Sequence, residues 1–445
     1  MVFLHLPAII HSCSSANSIV FALCAMLNLH VGSNSLFEKH IRYWRFLAVL
    51  LFAILQSPIL QSQSAFAASA ATEFSATLEA EQRATFEAWY LAQISHRAAM
   101  NGYWRKVDRK RSLRRKKKRA RRALGDNDYV TTFPPKYNGP RLPKRLMARW
   151  RKFRAKDATP RKPRDPLPGV ADYLASAKRH YNFSPERIPE REFKRRYALE
   201  ALRFGLRKDQ VVRVFALETG GNGTADMQAG IHPITNRGRP ISSALGYAQL
   251  LAANTINVMA KHGPKFVARL ERKLNRERAP ERRRILADKL RALRAMLRTA
   301  KSIPYKWSRQ RALARTSRGR GLHPLNIDGD IGPWIQVIKL ADIKRLAERR
   351  GKPNIDSAEL ELMNLAGPGT GLEMMRRVGL DKPTANFFSR RGYYRNSIVR
   401  GRTSAGLIQA LAKRMDQNMK KKGSQEFLAV FDEIIASRKG PRVTQ

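Results

Sequence analysis

From residue 170 onward apolar positions recur every three or four residues, the period of a helix with one buried face. Val170–His180 and Glu190–Phe204 read as helices. A third runs through Val211, Val212, Phe215 and Leu217, with Asp209 as its expected N-cap and Gly220-Gly221 as its end. The same pattern returns at Ala244–Lys261, is dense from Phe266 to Lys301, and recurs at Ile335–Arg350, Ser357–Leu365 and Ser404–Met419. Leu286, Leu290, Leu293 and Leu297 keep spacings of four, three and four, so they form one stripe. No strand-like alternation is visible in this half, and the predicted fold class is all-α.

Nearer the amino terminus, residues 73–101 predict a moderately amphipathic helix through Phe74, Leu78, Phe86, Trp89, Tyr90 and Ile94. It leads into Arg105–Arg122, in which 13 of 18 residues are Lys or Arg. Like charges at that density repel, so this block is expected to be solvated and extended when unbound. Proline recurs from Thr131 to Pro168, which predicts a linker broken by one short basic helix around Leu146–Phe153. Earlier still, basic residues up to Arg45 precede ten uninterrupted apolar residues, Phe46–Leu55, and then Ala65-Phe66-Ala67. That order is a signal peptide's, with cleavage expected after Ala67. Ten residues rise only about 15 Å as a helix, too short to span a bilayer. Residues 1–37 contain no Lys or Arg, and two explanations stay open: an upstream start assigned too early, or a first membrane segment. The expected organisation is therefore a leader over 1–67 and a basic, Pro-rich, partly disordered region over 68–168. A helical domain follows over 169–415 with a basic insert at 264–320, then a basic tail over 416–445.

Charge narrows the class of partner. The 445 residues carry 86 Lys and Arg against 35 Asp and Glu, a formal charge of +51. That excess calls for a polyanion: nucleic acid, an anionic membrane surface or an acidic wall polymer. With 43% apolar residues the chain has material for a core. Its two cysteines, Cys13 and Cys24, exclude a disulfide scaffold and a cysteine-rich zinc site.

Three segments carry candidate chemistry in this order: FALETGG at Phe215–Gly221, SALGYAQLLAANT at Ser243–Thr255 and LMNLAGPGTG at Leu362–Gly371. Together they resemble the soluble-lytic-transglycosylase-like domains, a family with the goose-lysozyme type of helical fold. The resemblance covers roughly residues 190–400. It implies that Glu218 is the catalytic acid/base. It also implies substrate contacts from Thr219, Gly246, Tyr247, Gln249, Asn364 and Gly367. Asn364-Leu365 stands where the family has Tyr-Asn, and Tyr247, Tyr393 or Tyr394 is the expected source of a replacement hydroxyl. Read from its residues alone, Glu218 ends an apolar helix, where desolvation and the negative end of the helix dipole both favour its protonated form.

The resemblance further implies a lytic transglycosylase cleaving the MurNAc–GlcNAc β-1,4 bond of peptidoglycan in the bacterial envelope, with glycan strands as partner and no cofactor. In that reaction the sugar's own 6-hydroxyl closes a 1,6-anhydro ring, so one Glu serves as acid and then base. Asp226, Asp328 and Asp330 are the available second carboxylates for an ordinary hydrolase, and none lies in a resembling motif. Glu361 and Glu373, flanking the third motif, are expected to be bystanders. Asp328-Gly329-Asp330 lacks the rest of a calcium loop, and His232 and His323 lack a second ligand at metal spacing, so no metal is expected. Two other readings remain: a wall-binding protein on the same fold without turnover, and a basic nucleic-acid binder. Arg105–Arg122 is the candidate anionic-membrane contact. It holds no interleaved aromatic for base stacking, which disfavours nucleic acid.

Overall fold

The computed structural model describes residues 70–156 and 166–439. The leader, both cysteines and the middle of the proline-rich linker lie outside these residues. Among the described residues the secondary structure is helical, with isolated β-bridges and no strand. No helix of theirs is long and apolar enough to cross a membrane.

Two compact units divide the chain. The smaller takes its described residues from 70–90 and 140–156. A short helix at 70–76, the start of α1 (Ala80–Arg119) and α2 (Lys144–Lys156) supply it. Phe74, Phe86 and Trp150 form its core, with Phe74 4.9 Å from Phe86 and 5.1 Å from Trp150 between ring centroids.

Residues 91–139 belong to the larger unit, together with everything described after the linker. The boundary expected at 168 therefore does not separate a disordered region from a folded domain. The basic block is neither extended nor fully solvated: α1 runs through it to Arg119. Tyr103, Trp104 and Val107 on this helix enter the main core. Arg114 is buried, donating to Glu373 Oε1 at 2.8 Å, Asp128 O at 2.9 Å and Asn386 O at 2.6 Å, with its guanidinium 4.5 Å from the Tyr129 ring centre. One face of the block is thus neutralised internally, which removes the repulsion argument for it.

The larger unit continues through α3 (Val170–Tyr181), α4 (Glu190–Arg203) and α5 (Lys208–Thr219). A looped segment follows, and then the pair α6 (Ala252–Arg276) and α7 (Pro280–Lys301). Two short helices, α8 (Trp307–Leu313) and α9 (Ser317–Arg320), lead to α10 (Gly332–Arg349). Beyond it lie α11 (Ser357–Ala366), α12 (Pro368–Met374), α13 (Arg377–Leu380) and α14 (Arg390–Arg395). The last two helices are α15 (Ser404–Met419) and α16 (Lys422–Lys439).

Helix α5 is the centre of the first core, packed by α4, α11, α15 and α16. Val211, Val212, Val214, Phe215 and Ala216 are all buried in it. Asp209 is not its cap: it pairs with Arg207, whose own N–H donates to Gln210 Oε1 at the helix start. Gly220, at φ 69°, ends it as expected. The expected tail is also part of this core, because Phe427, Val430, Phe431 and Ile434 of α16 are buried. A second core is built on the basic insert. Leu286, Leu290 and Leu293 of α7 are buried there against α6 and one face of α10. The helix expected to begin at Ala244 begins at Ala252, since residues 244–250 form a bridged loop instead.

Candidate active site

Glu218 ends the central helix on a half-buried side chain, and the third motif comes to it across 146 residues of sequence. Asn364 Nδ2 on α11 donates to Glu218 Oε1 at 3.0 Å and to Glu361 Oε2 at 3.2 Å. Asn364 therefore occupies a place beside the Glu218 carboxyl through an amide where the resembling family has a tyrosine. Its Oδ1 is buried with no donor, a cost that proteins tolerate chiefly at functional positions.

Glu361, expected only to flank the third motif, lies beside the Glu218 carboxyl. It is buried and accepts from the same Asn364 amide as Glu218. Burial raises the Glu218 carboxyl above its ordinary value, opposed by Lys339 of α10 and by the hydrogen bonds from Glu361 and Asn364. Burial, and then the charge of Glu218, raise Glu361 much further. Both carboxyls are thus raised, and the pair keeps a proton in a range where isolated glutamates have lost theirs. Lys339 is itself lowered by burial, which the two carboxyls offset only in part. Burial and then Glu218 also raise the hydroxyl of Tyr197, a residue absent from the motif reading.

The shared proton makes a specific prediction. Glu361→Gln keeps a hydrogen-bond donor for Glu218 but abolishes coupled titration. The alkaline limb of the pH–rate profile should move to lower pH, while the rate at its acid end stays near the parent's. Because a raised carboxylic pKa lowers stability as pH rises through it, the variant should also gain thermal stability at neutral pH. An unchanged profile would make Glu361 a packing residue only.

The remaining motif residues are largely structural. Thr219 is buried and its hydroxyl donates to Phe215 O at 2.7 Å. Tyr247 is buried among Phe193, Tyr197, Phe215 and Phe427, and its hydroxyl donates to Glu190 Oε2 at 2.5 Å. It packs on Phe215 of the helix that carries Glu218, and its hydroxyl is taken up by Glu190. Gly246, at φ 77°, lies so close to Gln336 that a Cβ would meet Nε2 at 2.5 Å. Gln249 closes the same loop, donating to Gly246 O at 2.8 Å and Met227 O at 3.1 Å. Tyr393 is buried with its hydroxyl accepting from Gly401 N–H at 2.9 Å, and Tyr394 donates to Met100 Sδ. Both meet Trp104 edge-to-face, and neither hydroxyl bonds to Glu218. The hydroxyls of the expected three bond to Glu190, Gly401 and Met100, and none to Glu218.

Gly367, three residues beyond Asn364, opens a cavity of about 820 Å³ at the turn between α11 and α12. Lys118, Arg121 and Arg122 from the basic block line it together with Arg350, Lys352 and Arg376. Its one carboxylate, Glu373, is already paired with Arg114 and Lys118. The cavity is therefore strongly cationic and adjoins the third motif.

The three aspartates considered as second carboxylates are held elsewhere. Asp226 pairs with Arg187 at 2.6 Å, and Asp328 and Asp330 with Lys289 at 3.0 and 2.7 Å. His323 is buried, hydrogen-bonded to Thr255 and Ser243, and pushed by burial down to about 4. His232 accepts two N–H groups of its own turn, from Ile234 and Thr235. Among the described residues no cluster of His, Cys, Asp and Glu could hold a metal ion.

What the fold and site define is a helical protein in which Asn364 joins the half-buried Glu218 to the buried Glu361, with a cationic cavity opening at Gly367. Compared with family models, curated proteins and solved structures, the chain gives no match in any of the three.

Proposed function

We propose that this chain is a lytic transglycosylase of the lysozyme-like helical type, acting on peptidoglycan glycan strands in the cell envelope. The observation that carries the reading is the meeting of Glu218 and Asn364, from the first and third motifs, at 3.0 Å. In the proposed reaction Glu218 gives its proton to the glycosidic oxygen as the bond to C1 breaks. The resulting carboxylate then takes the proton of the same sugar's 6-hydroxyl as that oxygen closes on C1. The sugar supplies its own nucleophile at high effective molarity, and no second carboxylate is required.

Glu361 shares the Asn364 amide with Glu218, and burial with the charge of Glu218 keeps its proton bound well above the ordinary glutamate range. Its role in this reading is to keep a proton on the pair. The cationic cavity at Gly367 suits the carboxylates of the peptide stems, and Lys118, Arg121 and Arg122 give the basic block a share in that binding.

One observation favours the wall-binding alternative: the place beside Glu218 holds an amide instead of the family's phenol. The two readings separate on incubating the purified protein with intact peptidoglycan and analysing the soluble fragments by mass spectrometry. Release of fragments with 1,6-anhydro ends is expected. Tight binding with no release would leave the wall-binding reading.

A further inference from the structure

Helices α4, α6 and α10 enclose a second cavity of about 860 Å³, lined by none of the motif residues and by none of the groups around Glu218. That volume is in the range of sites for small organic ligands. Its lining holds eight Lys and Arg side chains against three carboxylates. On α6, Lys265, Arg269, Arg272 and Arg276 recur at spacings of four, three and four. They form a single cationic stripe rising about 16 Å along the cavity.

The cations there are of two kinds. Arg196 and Lys273 are tied to the buried Asp330, and Arg269 donates to the buried Glu200 at 2.6 Å. Arg269 also lies 4.2 Å from the Trp334 ring centre, so its guanidinium is held in one plane with N–H groups to spare. Lys265, Arg272 and Arg276 are exposed and form no ion pair or hydrogen bond in the structure. Solvated arginines on a convex helix face would explain little. Here the unpaired charges line a concavity whose floor is Phe204, Phe266, Trp334 and Ile338.

We infer that this cavity binds an organic diphosphate: two linked anionic groups on the α6 cations, with an attached apolar group against Phe266 and Trp334. Guanidinium forks suit phosphate oxygens in pairs, and Arg272 and Arg276 stand about one helical turn apart on one face, so both long side chains can reach a single diphosphate. The inference is independent of the proposed lytic activity, since the cavity shares no residue with that site.

Titration calorimetry with inorganic pyrophosphate, decyl diphosphate and a nucleoside diphosphate tests it. Saturable binding of pyrophosphate is expected, tighter for whichever tailed diphosphate fits the apolar floor, which also distinguishes a lipid-like from a soluble source. The double variant Arg272→Glu/Arg276→Glu removes no internal contact, so it should fold normally and weaken binding about tenfold or more. Lys413→Glu/Arg414→Glu changes net charge equally on exposed positions of α15 and should leave binding nearly unchanged. Glu218→Gln should bind pyrophosphate like the parent, and Arg272→Glu/Arg276→Glu should retain any activity on glycan. No saturable binding, equal weakening in both double variants, or equal affinity for all three ligands would overturn the inference.

Discussion

Glu218→Gln should lose about 10²–10⁴-fold in glycan cleavage, the usual range for general acid–base catalysis, and is expected at its upper end. One carboxyl serves both halves of the proposed reaction, so the amide fails twice: it cannot donate to the leaving oxygen and cannot accept from the 6-hydroxyl. The hydrogen bond from Asn364 survives, because the Gln side-chain oxygen can accept it in place of Oε1. Stability should hold or rise, since burial already disfavours the ionised form of this group. Binding to intact peptidoglycan should persist, because the cations around Gly367 are untouched. Steady-state rates, melting temperatures and pull-down on insoluble wall measure these three effects separately. Glu373, paired with Arg114 and Lys118, is no silent control for such an experiment: its Gln variant removes a buried ion-pair partner.

Lys289→Ala should be the most destabilising single change outside the site. The ammonium is buried and joins three carboxylates: Glu186 at 2.9 Å, Asp328 at 3.0 Å and Asp330 at 2.7 Å. Breaking one side of a buried charge network costs about 3–5 kcal/mol, because the partners stay buried without compensation. Burial pushes Asp330 up, but Lys289 and Lys273 outweigh it and hold this carboxyl far below its ordinary value. Such a depressed group adds stability above its unfolded pKa and loses it as pH falls. The parent should therefore lose this contribution in acid, and the variant should show a flatter acid limb in denaturant melts. A melting temperature equal to the parent's would mean that the network contributes nothing net.

Much of the helical layout was legible because burial is periodic. The leucines at 286, 290 and 293 line the second core, and Gly220 ends the central helix where its left-handed φ is required. Glu218 stood out in the sequence because an acid closing an apolar helix is chemically unusual, and the structure brings Asn364 to it. Charge density misled at Arg105–Arg122. Tyr103, Trp104, Val107 and Arg114 share one helical face, and that periodicity was the better guide than repulsion. The carboxyl-terminal segment failed for the same reason. Phe427, Val430, Phe431 and Ile434 keep spacings of three, one and three in a stretch flanked by Lys420–Lys422 and Arg438-Lys439. Glu361 carried a signal too: it stands three positions before Asn364, on the same face of a mostly apolar helix. Nothing in the sequence could show that Tyr247 is enclosed by four aromatic rings, since those rings come from distant segments.

The central claim is that the sugar's own hydroxyl, and not water, attacks at C1. Digesting peptidoglycan with the purified protein in ¹⁸O-labelled water tests this most directly. Mass spectra of the released fragments should show anhydro ends free of the label. Fragments with reducing ends carrying one ¹⁸O would mean that water is the nucleophile and would contradict the account.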